Sequence, residues 1–255
     1  MLKAKPTTHL TGINIQGDFG DFYRLIDSIH RMTITEEEHM DVYYGVKNRL
    51  LGICYDIRHA FMGDRDIVLE DNGMNQEIMK WHEMITPTQN VYYSVNILFP
   101  EAIFVAVTIP KFYQLSACYY GRRSRCADMG LPPIPYGYYL EDKANLNLLC
   151  AVIWQALGEV IGDEELEKII RLAQNSHEDY INYVTQYVDK CNVELLKTSV
   201  EKRGNKLKNI AKRFVKKPQT YYNMEREFKY WAREEGVSIY DLEDPVIQYP
   251  EEIVW

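Results

Sequence analysis

The chain has 255 residues, of which 46% are hydrophobic and 26% charged, and it carries a net charge of −8. That length and balance suit a folded globular protein with ample core. The acidic total excludes nucleic acid or anionic lipid as a partner of the molecule as a whole, so such contacts require a local patch. Five cysteines (Cys54, Cys118, Cys126, Cys150 and Cys191) show neither C-x-x-C nor regular spacing. They predict buried free thiols in a reducing compartment, not a disulfide framework or a zinc ribbon. The first ten residues hold no apolar h-region. The most apolar run, Leu146 to Ile161, is shorter than a span and includes Gln155 and Glu159. A cytoplasmic protein with no membrane partner is therefore expected.

Leu10 to Gln16 alternates Ile13 and Ile15 with Asn14 and Gln16, the pattern of a half-buried strand. Gly17-Asp18 then turns into an amphipathic helix bearing Phe22, Leu25, Ile26 and Ile29, with Asp18 as its cap. Residues 36–62 carry the strongest helical period. Val42, Val46, Leu50, Ile53, Cys54, Ile57 and Phe61 fill one sector, and Tyr44, Leu51, Tyr55 and Met62 a second. Two apolar sectors predict neighbours on two sides and a central place in the fold. Thr35 with Glu38 forms a capping box, and Gly63 is the expected stop.

Residues 66–70 read as a short strand and Asn75 to Met84 as a short helix with Ile78, Trp81 and Ile85 turned inward. Val91 to Phe99 alternates strictly, and Ala102 to Ile109 is nearly unbroken apolar sequence beyond Pro100-Glu101. This predicts an antiparallel hairpin whose second strand is buried on both faces. Lys111 to Tyr120 reads as a helix, and residues 121–139 as an irregular Pro/Gly/Arg loop. Helices follow at 146–161, at 163–173, from Ser176 until Gly204 breaks it, at 205–217 (stopped by Pro218) and at 220–235, the last burying Tyr221, Met224, Phe228 and Trp231. Ser238 with Asp241 starts a final turn, and the apolar tail 247–255 is expected to dock back. The fold class is thus α+β: a small, mostly antiparallel sheet wrapped by helices around 36–62 in residues 1–120, the loop 121–139, and a helical part 140–255 packed on the first.

Two features carry chemistry. The first is the polar stripe of the long helix, Arg49 and Asp56 with Gly45 and Gly52 between neighbours, continued by Arg58, His59 and Asp64. With His82 added, Asp56, Arg58, His59 and Asp64 compose a possible acid–base pocket. Against it stands a structural network tying the helix to its neighbours, with the glycines admitting another backbone. No H-x-x-x-H, G-x-S-x-G, Walker loop or G-x-G-x-x-G is present, so no metal, cofactor or nucleophile is predicted. The second is a basic run, 196–217, with nine cations against one anion. Lys206, Lys208, Lys212, Arg213, Lys216 and Lys217 would track phosphates if free. Neutralisation by Glu225, Glu234, Glu235, Asp241 or Glu243 is the favoured expectation.

The segments LTGINIQGD, LLGICYDIRHAFMGDR, DNGMNQEIMKWH, NVYYSVNILFPEAIFVA and YPEEIVW resemble an uncharacterised family of intracellular proteins from Firmicutes and their mobile elements. The resemblance implies a bacterial or phage cytosolic protein, without an activity, a cofactor or a catalytic residue. The expected function is a non-catalytic binding or regulatory module acting on a protein partner or on itself. An enzyme using the 56/58/59/64/82 pocket and nucleic-acid binding through the basic helix are the alternatives.

Overall fold

The computed structural model describes residues 1–33, 37–122, 124–128 and 130–255, with the backbone alone for 37–41 and 127. Strand β1 (Lys3–Pro6) leads to β2 (Gly12–Gly17), α1 (Phe19–Met32) and α2 (Glu37–His59). After a π-type turn at Ala60–Asp64 come β3 (Asp66–Asp71), α3 (Gln76–Trp81), β4 (Gln89–Leu98) and α4 (Phe99–Ser116). The remainder is helical: α5 (Tyr136–Ile161), α6 (Asp163–Gln174), α7 (Gln186–Leu196), α8 (Val200–Val215) and α9 (Gln219–Glu235). The fold is α+β, a four-stranded antiparallel sheet near the N-terminus followed by helices.

The sheet runs β1-β2-β4-β3. Ile13 pairs with Ile97 and Ile15 with Val95, and all four are buried on the face that meets the helices. On the opposite face Asn14 Nδ2 donates to Ser94 Oγ (2.6 Å) and Asn96 Oδ1 (2.7 Å), so the polar alternates satisfy one another. Asp18 caps α1 as expected, in a reciprocal box with Asp21 (2.8 and 3.1 Å). Strand β1 escapes the alternation pattern because it is a short edge carrying Lys3, Lys5 and Pro6, the residues that blunt an edge.

The expected hairpin is half right. Residues 89–98 are a strand, but 102–109 belong to α4, and the partners of β4 are β2 and β3. A continuous apolar run buried on every side has no period to separate helix from strand. All of 102–109 is buried, and Pro100 sits in the first turn of α4, where a missing N–H costs nothing. In α2 the first apolar sector (Val46, Leu50, Ile53, Cys54, Ile57) is buried. Tyr44, Tyr55 and Met62 of the second sector are exposed instead. Gly63, at φ +91°, ends the helical path as expected, while the Thr35–Glu38 box lies outside the described residues.

Four more expectations differ from the structure. Ile78, Trp81 and Ile85 do not turn inward: the excursion between β3 and β4 projects from the body, with Trp81 80% and Ile85 99% exposed. Residues 176–185 are irregular and α7 begins only at Gln186. Gly204 does not break a helix but lies inside α8, where a Cβ would stand 3.5 Å from the Val160 carbonyl oxygen. Trp231 is half exposed, whereas Tyr221, Met224 and Phe228 are buried. The tail does dock back, with Val254 O accepting from Thr11 Oγ1 at 2.6 Å. Helix α5 is longer than the run 146–161. By length and composition both α5 and Phe99–Tyr119 could cross a membrane, and here they form the centre of the core.

Candidate functional site

Strand β3 begins at Asp66, because Gly63 swings the preceding chain aside; β4 therefore loses its neighbour on that side from Val95 onward. A cleft of about 950 Å³ opens in the gap between α2 and the end of β4. Helix α2 supplies Gly45, Asn48, Arg49, Gly52 and Asp56, and β4 supplies Asn96 and Leu98. Asp64, Arg65 and Asp66 close one end; Thr185, Tyr240, Asp241 and Trp255 line the other.

Arg49 anchors the floor. Its Nη1 donates to Glu101 Oε2 (2.9 Å) and Asp189 Oδ1 (3.0 Å), and its Nη2 to Thr185 O (3.0 Å) and the second Asp189 oxygen. Tyr249 from the tail donates to Asp189 (2.8 Å), and Asn192 donates to Tyr249 (2.9 Å). Burial pushes the Glu101 carboxyl above its ordinary value, with the Arg49 charge pulling it only part of the way back. Burial likewise raises Asp56, against the opposing pull of Arg65 at 3.5 Å.

The two glycines of the stripe differ. A Cβ on Gly45 would stand 2.7 Å from the Tyr240 ring and 2.8 Å from Thr185, so this glycine admits the 183–185 chain. A Cβ on Gly52 would meet nothing within 4 Å.

Of the five residues in the expected acid–base pocket, Asp56 and Asp64 line the cleft. His59 does not: its Nδ1 lies 2.8 Å from Asp64 Oδ2 and its ring 4.3 Å from that of Tyr55. Arg58 is exposed, its guanidinium over the Tyr55 ring. His82 caps α3 on the projecting excursion, its ring against Trp81. The five are not brought together. Among the described residues no group of three or more His, Cys, Asp or Glu could hold a metal ion.

The basic helix finds internal partners, but not those expected from 218–255. Glu194 takes Arg213 (2.8 Å) and Lys206 (3.4 Å), and Glu165 takes Lys212 (3.1 Å). Lys217 lies over the rings of Tyr180, Tyr183 and Tyr221 and within 3.8 Å of Glu178 and Asp179. Lys216 is exposed and Lys208 half-buried. Burial works against the Glu194 charge, and Arg213 and Lys206 outweigh it, so its pKa is lowered.

Sequence reasoning found Arg49, Gly45, Gly52 and Asp56 through their shared stripe. It missed Glu101, Asp189 and Tyr249, which arrive from 52, 140 and more residues away with no local signal. It also missed a second ionic cluster. Asp142, fully buried in α5, accepts from Arg31 Nε (2.8 Å), Arg31 Nη2 (2.6 Å) and Tyr120 OH (2.9 Å). A signal existed there. Asp142 stands on the face of Tyr139, Leu146 and Leu149, and a carboxylate on an apolar stripe requires a buried cation.

No curated protein and no solved structure matches the chain. Residues 2–255 match the family described as Domain of unknown function (DUF6904), and the chain belongs to that family.

Proposed function

We propose that the protein is a cytosolic binding module, and that the cleft between α2 and β4 is where its ligand sits. Gly52 carries the proposal. A glycine inside a helix costs about 1 kcal/mol against alanine. At Gly45 the close approach of Tyr240 and Thr185 accounts for that cost, but at Gly52 nothing in the fold does. What the missing side chain leaves is room in the cleft. The catalytic alternative has less support, since His59 stands outside the cleft and Arg49 is fully engaged. Nucleic-acid binding has less support because carboxylates hold Lys206, Lys212, Arg213 and Lys217. The free cysteines are in keeping with a reducing compartment.

The test is native mass spectrometry of wild-type protein and Gly52→Leu, each isolated from the host. Extra mass on the wild type and none on a folded Gly52→Leu is the expected result. Equal occupancy in both removes the cleft from the proposal.

A further inference from the structure

We infer that the occupant of this cleft is an extended peptide carrying a lysine or arginine, added to β4 as a short antiparallel strand in the line that β3 leaves. This rests on the binding reading above and names the ligand class. Two backbone bonds fix which way β4 points its peptide groups. Phe99 N–H donates to Thr11 O, on the β2 side, and Asn72 N–H donates to Thr88 O, on the β3 side. Peptide groups alternate along a strand, so the even positions Asn96 and Leu98 direct theirs toward the side where β3 has ended. Among the described residues neither finds a backbone partner there. Leu98, as the cap of α4, commits its carbonyl to the helix. Asn96 N–H, Asn96 C=O and Leu98 N–H remain, and this is the hydrogen-bonding edge that strand addition uses.

The side chains of the added strand follow from the same alternation. Residues opposite Val95 and Ile97 share the face of those side chains, which is the face packed by α2. They point at the opening that Gly52 leaves.

The walls choose the charge. Five carboxylates line the cleft (Asp56, Asp64, Asp66, Glu101 and Asp241) against two guanidiniums, and Arg49 is already held by Glu101 and Asp189. Asp66 and Asp241 have no cationic partner among the described residues. A cationic side chain is attracted to this surface, and an acidic peptide or a nucleic acid is repelled.

The experiment uses pools of blocked hexapeptides, mixed at five positions and fixed at the third as Lys, Arg, Glu or norleucine. They are titrated into full-length ¹⁵N-labelled protein at low salt. The Lys and Arg pools are expected to shift the Asn96 and Leu98 amides and slow their exchange with solvent, and the Glu pool to leave them unmoved. N-methylation at two alternate peptide bonds should weaken binding at least tenfold, and Asp66→Asn severalfold. Gly52→Leu should abolish it while keeping the circular dichroism of the wild type and a melting temperature no lower. Gly52→Ala, which clashes with nothing, is the milder variant if leucine perturbs folding.

The inference falls if no pool moves these amides at millimolar concentration, if Glu and Lys pools bind alike, or if single-stranded RNA competes for the same amides. Argininamide binding as tightly as the peptides, with Asn96 unmoved, would overturn strand addition and leave a ligand-binding cleft. Peptide binding that survives Gly52→Leu in a folded protein would overturn the cleft itself.

Discussion

Arg31 and Arg49 are each gripped by carboxylates, and they end in opposite surroundings. Arg31 joins α1 to α5 through both oxygens of Asp142, the carboxylate is fully buried, Tyr120 donates to the oxygen that also accepts from Arg31 Nε, and the Tyr138 ring covers the guanidinium. Every group there is used up by another. Arg49 joins α2, α4 and α7 in much the same way, but its cluster is the floor of an open cleft with carboxylates to spare. An ion pair whose carboxylate is sealed in the core serves only the fold. An ion pair at the bottom of a cleft also sets a potential that an incoming group feels.

The sharpest way to break the comparison is at Asp142. Arg31→Met leaves the fully buried Asp142 carboxylate without its cation, and should cost about 3–5 kcal/mol in urea unfolding. Replacing both partners at once, Arg31→Met with Asp142→Leu, should recover most of that loss, because no orphaned charge remains. Arg49→Met comes next, at roughly 2–4 kcal/mol, since two carboxylates lose their cation. Its pH dependence is distinctive. The folded-state pKa of Glu101 already lies above its ordinary 4.5, so ionising Glu101 costs stability as the pH rises past that value. Without Arg49 the cost grows, and the deficit of the variant should widen as the pH climbs above 4.5.

Gly52→Ala should act in the opposite direction, stabilising the protein by up to about 1 kcal/mol while narrowing the cleft. A loss of stability would mean that the helix needs its glycine after all. The smallest effect belongs to Glu194, part of neither cluster and partly exposed beside Arg213. Its folded pKa lies below the ordinary 4.5, so its contribution is present above that pH and lost as the pH falls through the folded value. Glu194→Gln should cost about 0.5–1 kcal/mol near neutrality, less at high salt, and nothing in acid, where wild type and variant unfolding curves should coincide.

What the sequence made legible follows from range. The alternation of Val91 to Leu98, the Asp18 cap and the buried sector of α2 are local patterns with local causes, and all three stand in the structure. The run 102–109 is local too, yet a segment buried on every side erases the period that would identify it. The Arg49 stripe was visible because Gly45, Gly52 and Asp56 repeat at helical spacing. Its meaning was not, since the cleft exists only where β3 stops two residues short of Asn96 and where the tail arrives from residue 249. Trp81 and Ile85 read as core because apolar residues at helical spacing usually are, and no pattern within the excursion reveals that it has nothing to pack on.

The docked tail bears on the order in which the molecule is completed. Thr11 and His9 in the turn before β2 bond the carbonyls of Val254 and Trp255, and Arg203 of α8 clasps the same turn through His9 O and Thr11 Oγ1. These contacts span 243, 246, 194 and 192 residues. During synthesis the first strands emerge early, while this turn waits for the most distant stretch of the chain before its polar groups are satisfied. Contacts of such separation form slowly. The turn before β2, on which the tail docks, should therefore be the last part of the protein to gain protection from hydrogen exchange as a nascent or refolding chain matures.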